Sequence, residues 1–277
     1  MYSMQAAMAV PLGQAGQQSG TCDVSCPVVI CLLGNFLLLK AGRVVMLRGG
    51  SKTESLLCQL GLHHARSIPR ETLLNTLWPS SDSVLASQSL NSLIYSLHKL
   101  VGDAISGTPL VLHADGHYRL NMEAGIRVDV ACFDTYADAG ERHARAGNLS
   151  AAAEAYAQAI RLYRGDLYGS TDVQGVVERE RLRARYLSLL ARLADYHYAQ
   201  QDYGTCLDYT ALLLTKDACR EDAHRLAMRC YVRQGERAQA LRQYRLCQDV
   251  LRAEFDVAPE PATTALFNQV RLDPGSI

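Results

Sequence analysis

Leu85-Ala-Ser-Gln-Ser-Leu-Asn-Ser-Leu-Ile-Tyr-Ser-Leu-His-Lys-Leu-Val101 is the stretch whose reading decides the fold. Leu90, Leu93, Ile94, Leu97, Leu100 and Val101 recur at helical spacing and form one apolar face. Gln88, Ser92, Tyr95 and Lys99 fall on the opposite face, flanked by Asn91 and His98. Each of these can hydrogen-bond to a base edge or a phosphate, and none is acidic. Further on, Leu110-Val-Leu-His-Ala-Asp-Gly-His-Tyr-Arg-Leu120 alternates on both sides of Asp115-Gly116, a strong hairpin signal. An amphipathic helix followed by a hairpin supplies the recognition helix and wing of a winged helix. A plain surface helix beside an ordinary hairpin has the same pattern, so the flanking sequence must decide.

On the N-terminal side, 28–36 and 36–47 read as β-rich, with Lys40-Ala-Gly-Arg43 as a turn. Ser51 and Glu54 have capping-box spacing, and the helix they open buries Leu56, Leu57 and Leu60. Pro69 starts a short second helix through Leu73, Leu74 and Leu77, closed at Trp78-Pro79, with Trp78 expected in the core. Ser80-Ser-Asp-Ser83 caps the third helix. From Val128 onward the pattern is helical throughout, over 133–146, 149–162, 176–200, 203–216, 221–234 and 236–254, with 263–270 closing the array. Three turns look alike: Ala146-Gly-Asn148, Gln201-Asp-Tyr-Gly204 and Gln234-Gly-Glu236. The second and third are 33 residues apart, near the tetratricopeptide period, and small residues there are expected to let antiparallel helices approach closely. Arg164-Gly-Asp-Leu-Tyr-Gly169 reads as a linker. The reading is therefore α+β then all-α: residues 1–27 a disordered tail, 28–127 a winged helix and 128–277 helical repeats.

Formal net charge is zero, which argues against a general polyanion binder. The average hides a skew. Residues 28–127 hold nine Lys and Arg against six acids, and five of the eight histidines. Residues 128–277 hold nineteen against twenty-one. The basic excess sits with the wing, as an electrostatic footprint on DNA would. The nine cysteines lack zinc spacing, and most fall in apolar helical patterns as small core residues, which points to a reducing, cytoplasmic setting. No apolar run approaches the roughly 18–20 residues of a membrane span, and the first 27 residues carry no Lys or Arg for a signal peptide.

No phosphate-cradling glycine loop, HExxH, GxSxG or paired-cysteine motif is present, so no catalytic residue, metal or cofactor is expected. The candidate DNA-contacting set is Lys52, Gln88, Asn91, Ser92, Tyr95, His98, Lys99, His117 and Arg119. Lys52, in the first turn of its helix, suits a phosphate or is a solvated lysine. Gln88 and Asn91 can pair with adenine, and Asn91 can instead cap a neighbouring turn. Lys99 can reach a phosphate or guanine, or is a solvated surface lysine. Arg119, beside His117 on the second hairpin strand, can reach a phosphate or minor groove, or can pair across the strand. Glu178-Arg-Glu-Arg-Leu-Arg-Ala-Arg185 reads as a salt-bridged, solvated helix face, with a partner-binding strip as its rival.

The ordered set of motifs resembles the bacterial transcriptional activator domain proteins, among them the Streptomyces antibiotic regulatory protein type. It comprises Cys31-Leu-Leu-Gly-Asn-Phe36, Ser51-Lys52, Leu77-Trp-Pro79, Leu90–Asp103, Gly116-His-Tyr-Arg-Leu120, Val128-Asp-Val-Ala-Cys-Phe133, Tyr163-Arg-Gly-Asp-Leu167, Glu221-Asp-Ala-His224 and 235–244. The resemblance implies an OmpR-like winged helix-turn-helix followed by a tetratricopeptide-like domain. It further implies an activator that binds direct-repeat promoter DNA as a dimer and contacts RNA polymerase. A small-molecule effector on the helical domain is a further expected partner, because helical repeats commonly form pockets. One departure stands out. Relatives often close the recognition helix Leu-Arg-Arg where this chain has Leu97-His98-Lys99, exchanging a permanent charge for a largely neutral imidazole. The rival class is an adaptor: the helical repeats bind a ligand or protein and the winged helix docks to protein.

Overall fold

The computed structural model describes residues 26–80, 82–169 and 173–277; the expected disordered tail falls almost wholly outside them. The described residues divide into two compact units, 26–186 and 187–277.

The first unit opens with β1 (Val28–Cys31), β2 (Leu37–Lys40) and β3 (Arg43–Val45). They join β7 (Ile126–Val128) in a four-stranded sheet of order β3-β2-β1-β7, antiparallel except for the parallel β1–β7 pair. α1 (Lys52–Leu62) starts where Ser51 Oγ accepts from Glu54 N–H at 3.3 Å, while the Glu54 carboxylate reaches back to Gly50 N–H. This is the expected box, with its return bond displaced by one residue. α1 lies close on the sheet: a Cβ at Gly61 would stand 2.9 Å from Leu32. β4 (Ile68–Pro69), α2 (Arg70–Leu77) and α3 (Ser83–Val101) follow, and then β5 (Val111–Ala114) and β6 (His117–Leu120), which form a second sheet of order β4-β6-β5. Ile30, Leu38, Leu56, Leu57, Leu73, Leu77, Leu90 and Leu97 are all buried. Trp78 is only half-buried, which corrects its expected core position; it is the residue at which helix α2 ends.

α4 (Asp129–Arg145) and α5 (Leu149–Leu162) complete this unit with the first part of α6 (Val173–Ala199). Asp129, the first residue of α4, is buried among donors. Oδ1 accepts from Leu32 N–H at 2.8 Å and from its own helix at Val130 N–H, and Oδ2 accepts from Leu33 N–H at 2.9 Å and from the Arg164 guanidinium at 3.3 Å. Burial pushes this carboxyl's pKa up, against the pull of those N–H groups and of Arg164. Residues 164–169 are more than the expected linker. Gly34 N–H donates to Asp166, Tyr168 N–H to Leu32, and the Tyr168 hydroxyl to Glu54. Gly34, at φ +99°, leaves room for the Arg164 and Gly165 backbone, which a Cβ would meet at 3.3 Å. The mixed-charge run likewise does more than face solvent: Arg181 pairs with Asp134 and Glu178, and Arg185 with Asp134, Asp138 and Glu141.

The second unit holds α7 (Tyr203–Lys216), α8 (Glu221–Arg233), α9 (Arg237–Phe255) and α10 (Pro261–Leu272), each packed on its neighbour in sequence. Met228, Ala240, Tyr244, Leu266 and Val270 form one cluster, with the Tyr244 and Phe267 rings stacked at 4.1 Å. Ala194, Cys206, Leu226 and Cys230 form another. His224 is buried and held neutral: Nε2–H donates to the Ala218 carbonyl at 2.9 Å, and Nδ1 accepts from Gln243 at 2.7 Å. The first and third of the similar turns owe their glycines to backbone conformation, which corrects the expectation of close helix approach there; the second meets the same conformation with Gln201. Gly147, Gln201 and Gly235 all adopt positive φ, and a Cβ at either glycine would meet nothing within 4 Å. Asn148 and Asp202 then cap the next helix.

Candidate nucleic-acid interface

α3 is started by Asp82, whose carboxylate accepts from Val84 N–H at 2.8 Å. Ala86, Leu90, Leu97 and Val101 seat it in the core, while Leu93, Ile94 and Leu100 are half-buried. Lys40 fixes the far end by bonding the Leu100 carbonyl at 2.9 Å and pairing with Asp103. The face left outward carries Gln88, Asn91, Ser92, Tyr95 and Lys99, all exposed, with Tyr95 70% exposed. Val84 and Leu85, 62% and 63% exposed, extend this surface at the helix start. The sequence reading left them out, although their departure from the buried 90/97/101 stripe was a usable signal.

The wing is a two-residue hairpin. Asp115 and Gly116 both take positive φ, 49° and 72°, as a type I′ turn requires. Register then alternates the β6 side chains: Tyr118 and Leu120 are buried, His117 and Arg119 exposed. Arg119 lies opposite Leu112, so the rival role of cross-strand ion pair has no acidic partner there. His117 Nδ1 contacts the Asp115 carbonyl at 2.9 Å. His113, which the sequence reading omitted, is exposed on β5 and stacks on Tyr118 at 4.4 Å. His113, His117 and Arg119 border an open groove of about 600 Å³ with Ser67 and Asp115.

Two candidates are engaged internally. His98 Nε2 accepts from Val111 N–H at 3.2 Å, which ties α3 to the wing's first strand, and burial pushes its pKa down. A neutral, half-buried imidazole in this role is not the outward phosphate donor that the sequence suggested. Lys52 Nζ donates to the Leu77 carbonyl at 2.5 Å, so its charge sits at the C-terminus of α2, where a cation is favoured. The structure thus brings Gln88, Asn91, Ser92, Tyr95 and Lys99 together on one helix face and His117 and Arg119 on the wing. His98 and Lys52 serve the scaffold.

Among the described residues no helix is long and apolar enough to cross a membrane. Comparison with known proteins agrees with the architecture. Regulatory protein AfsR of Streptomyces coelicolor is 25% identical over 223 residues, which cover 80% of this chain; the chain spans 22% of AfsR's length. The structure of Mycobacterium tuberculosis EmbR in complex with a low-affinity phosphopeptide superposes with a TM-score of 0.68 at 20% identity, covering 89% of this chain and 65% of that one. That likeness bears on fold, and the winged helix followed by helical repeats is the fold found here. Residues 128–271 match the family described as Bacterial transcriptional activator domain. With that match spanning more than half of its length, the chain belongs to the bacterial transcriptional activator domain family.

Proposed function

We propose that this protein is a transcription activator that binds promoter DNA in double-stranded form, with α3 in the major groove and the β5–β6 wing beside it. One observation carries the reading: the exposed, acid-free face of Gln88, Asn91, Ser92, Tyr95 and Lys99, adjoining a wing whose outward side chains are His117 and Arg119. In this reading Gln88 and Asn91 read base edges, Ser92 and Tyr95 brace them, and Lys99 and Arg119 neutralise phosphates. The modest basic excess of residues 28–127 suits few phosphate contacts per protomer, so protomers pair on direct repeats to gain affinity. RNA polymerase is the second partner, as the family's role in activation implies. The winged helix is assigned to 28–127 and the activator domain to 128–277.

The test is fluorescence anisotropy of the full chain on labelled duplexes from its own upstream region, titrated with salt. Saturable binding that survives competitor DNA and weakens with salt is expected. Lys99→Ala should weaken binding to every sequence and reduce the log–log salt slope by about 1. An unchanged slope would remove Lys99 from the phosphate contacts. A second reading, an adaptor whose helical repeats hold a protein or small ligand, is favoured by the zero net charge and by the inward turn of His98. Absence of binding to any duplex at low salt would select it.

A further inference from the structure

In the repeat unit, Cys206 on α7 and Cys230 on α8 are both fully buried, and their sulfurs lie 3.3 Å apart in hydrogen-bond contact. Ala194 and Leu226 complete the cluster, with Tyr198 and Tyr203 packed against it. The two cysteines come from different helices, and the α7–α8 turn lies between them in sequence. Most buried thiols are inert packing residues. This pair differs because the two sulfurs are in direct contact with each other inside a mainly apolar cluster. The bond between them also skews their acidity: it draws the Cys230 pKa down, while the same bond and burial push Cys206 up.

We propose that Cys206 and Cys230 are a site of reversible oxidation, closing to a disulfide that staples α7 to α8 when the protein meets hydrogen peroxide. The Cys230 thiolate attacks a peroxide oxygen. An S–O bond forms as the O–O bond breaks, and the departing hydroxide takes up the proton released from Cys230 and leaves as water. The Cys206 sulfur then attacks the Cys230 sulfenic acid. The S–S bond forms as the S–O bond breaks, and the hydroxyl leaves with the Cys206 proton as a second water. Two thiols and one peroxide thus give one disulfide and two waters. The sulfurs must approach from 3.3 Å to about 2.05 Å for the bond to close. Peroxide is small enough to enter when α7 and α8 open locally, so the reaction is gated by that opening. The product fixes the geometry of one helix pair in the repeat unit, and thiol reductants reverse it.

The experiment uses the full chain. Reduced protein is treated with hydrogen peroxide, denatured in a thiol-blocking reagent, digested and mapped by mass spectrometry, with a dithiothreitol-reversed control. The expected result is a Cys206–Cys230 cross-linked peptide that disappears on reduction. A melting temperature several degrees above that of the reduced chain should accompany it, because the bridge restricts the unfolded state. Cys206→Ser should abolish both. The wild-type mapping needs no variant to fold. Recovery of Cys206 and Cys230 as free thiols while other cysteines oxidise would overturn the proposal, and so would a linked peptide formed only in denaturant.

Discussion

The two units are held together in different ways. In the first, decisive bonds join residues far apart in sequence: Asp129 gathers the Leu32 and Leu33 N–H groups and Arg164, and Tyr168 reaches Glu54. In the second, each helix packs on the next, and polar links span up to 39 residues rather than about a hundred, as where His224 links Ala218 and Gln243, Arg225 reaches Glu260 and Thr263, and Glu221 accepts from Glu260 N–H. A mixed sheet needs a few strategic polar groups to close distant edges, whereas stacked helix pairs are stabilised by nearest-neighbour burial. Damage should therefore be polar and focused in the first unit, and apolar and local in the second.

The largest expected effect tests the first half of that contrast. Asp129→Ala strands three buried N–H groups, those of Leu32, Leu33 and Val130, and a guanidinium, and should cost about 3–5 kcal/mol. Urea unfolding followed by circular dichroism would measure it, and a loss below about 1 kcal/mol would mean that Asp129 is not the clasp described. Met228→Ala opens a cavity in the repeat unit and should cost about 2–4 kcal/mol, within the usual range for buried Met→Ala. Hydrogen exchange should then show lost protection in α8–α10 and little change in β1 and α1. Uniform loss across both units would erase the distinction.

Acid gives a subtler discrimination. Burial pushes His224 and His98 below the ordinary histidine pKa, so the unfolded chain binds protons that the folded imidazoles refuse. Stability should fall as pH drops from 7 through the ordinary histidine range to 5. His224→Gln should flatten the pH dependence of the melting temperature more than His98→Gln, because His224 is the more deeply buried. Equal slopes in the wild type and both variants would place the pH response elsewhere. Smallest is Ser51→Ala, which removes one cap of α1 and should cost about 1 kcal/mol by the same urea assay.

This contrast also explains what was legible in the sequence. α3, its Asp82 cap, the Ser51–Glu54 box and the Asp115-Gly116 turn are local signals, and each stands where its residues imply. The bounds of α5 and α7 match the periodicity as well, because an apolar helix face is written every three to four residues. The clasp at Asp129 was hidden because its partners lie almost a hundred residues away, and no periodicity encodes a bond of that span. The inward turn of His98 escaped for a related reason. Its position on the helix wheel sits at the edge of the polar face, and the N–H it accepts from belongs to a strand whose placement no helix pattern contains. Turn glycines were seen, but their purpose was misread, since composition alone does not separate a backbone requirement from a packing one.

The Asp115-Gly116 turn also acts as a ruler. With two residues in mirror-image conformation, it sets which half of β6 faces water, and so puts two nitrogen-bearing side chains outside and an aromatic and a leucine inside. One residue more or fewer in that strand would exchange the halves, turning the wing's charged edge into a greasy one and its interior into a buried cation. The polarity of the wing is therefore a counting property of the chain before it is a property of any side chain.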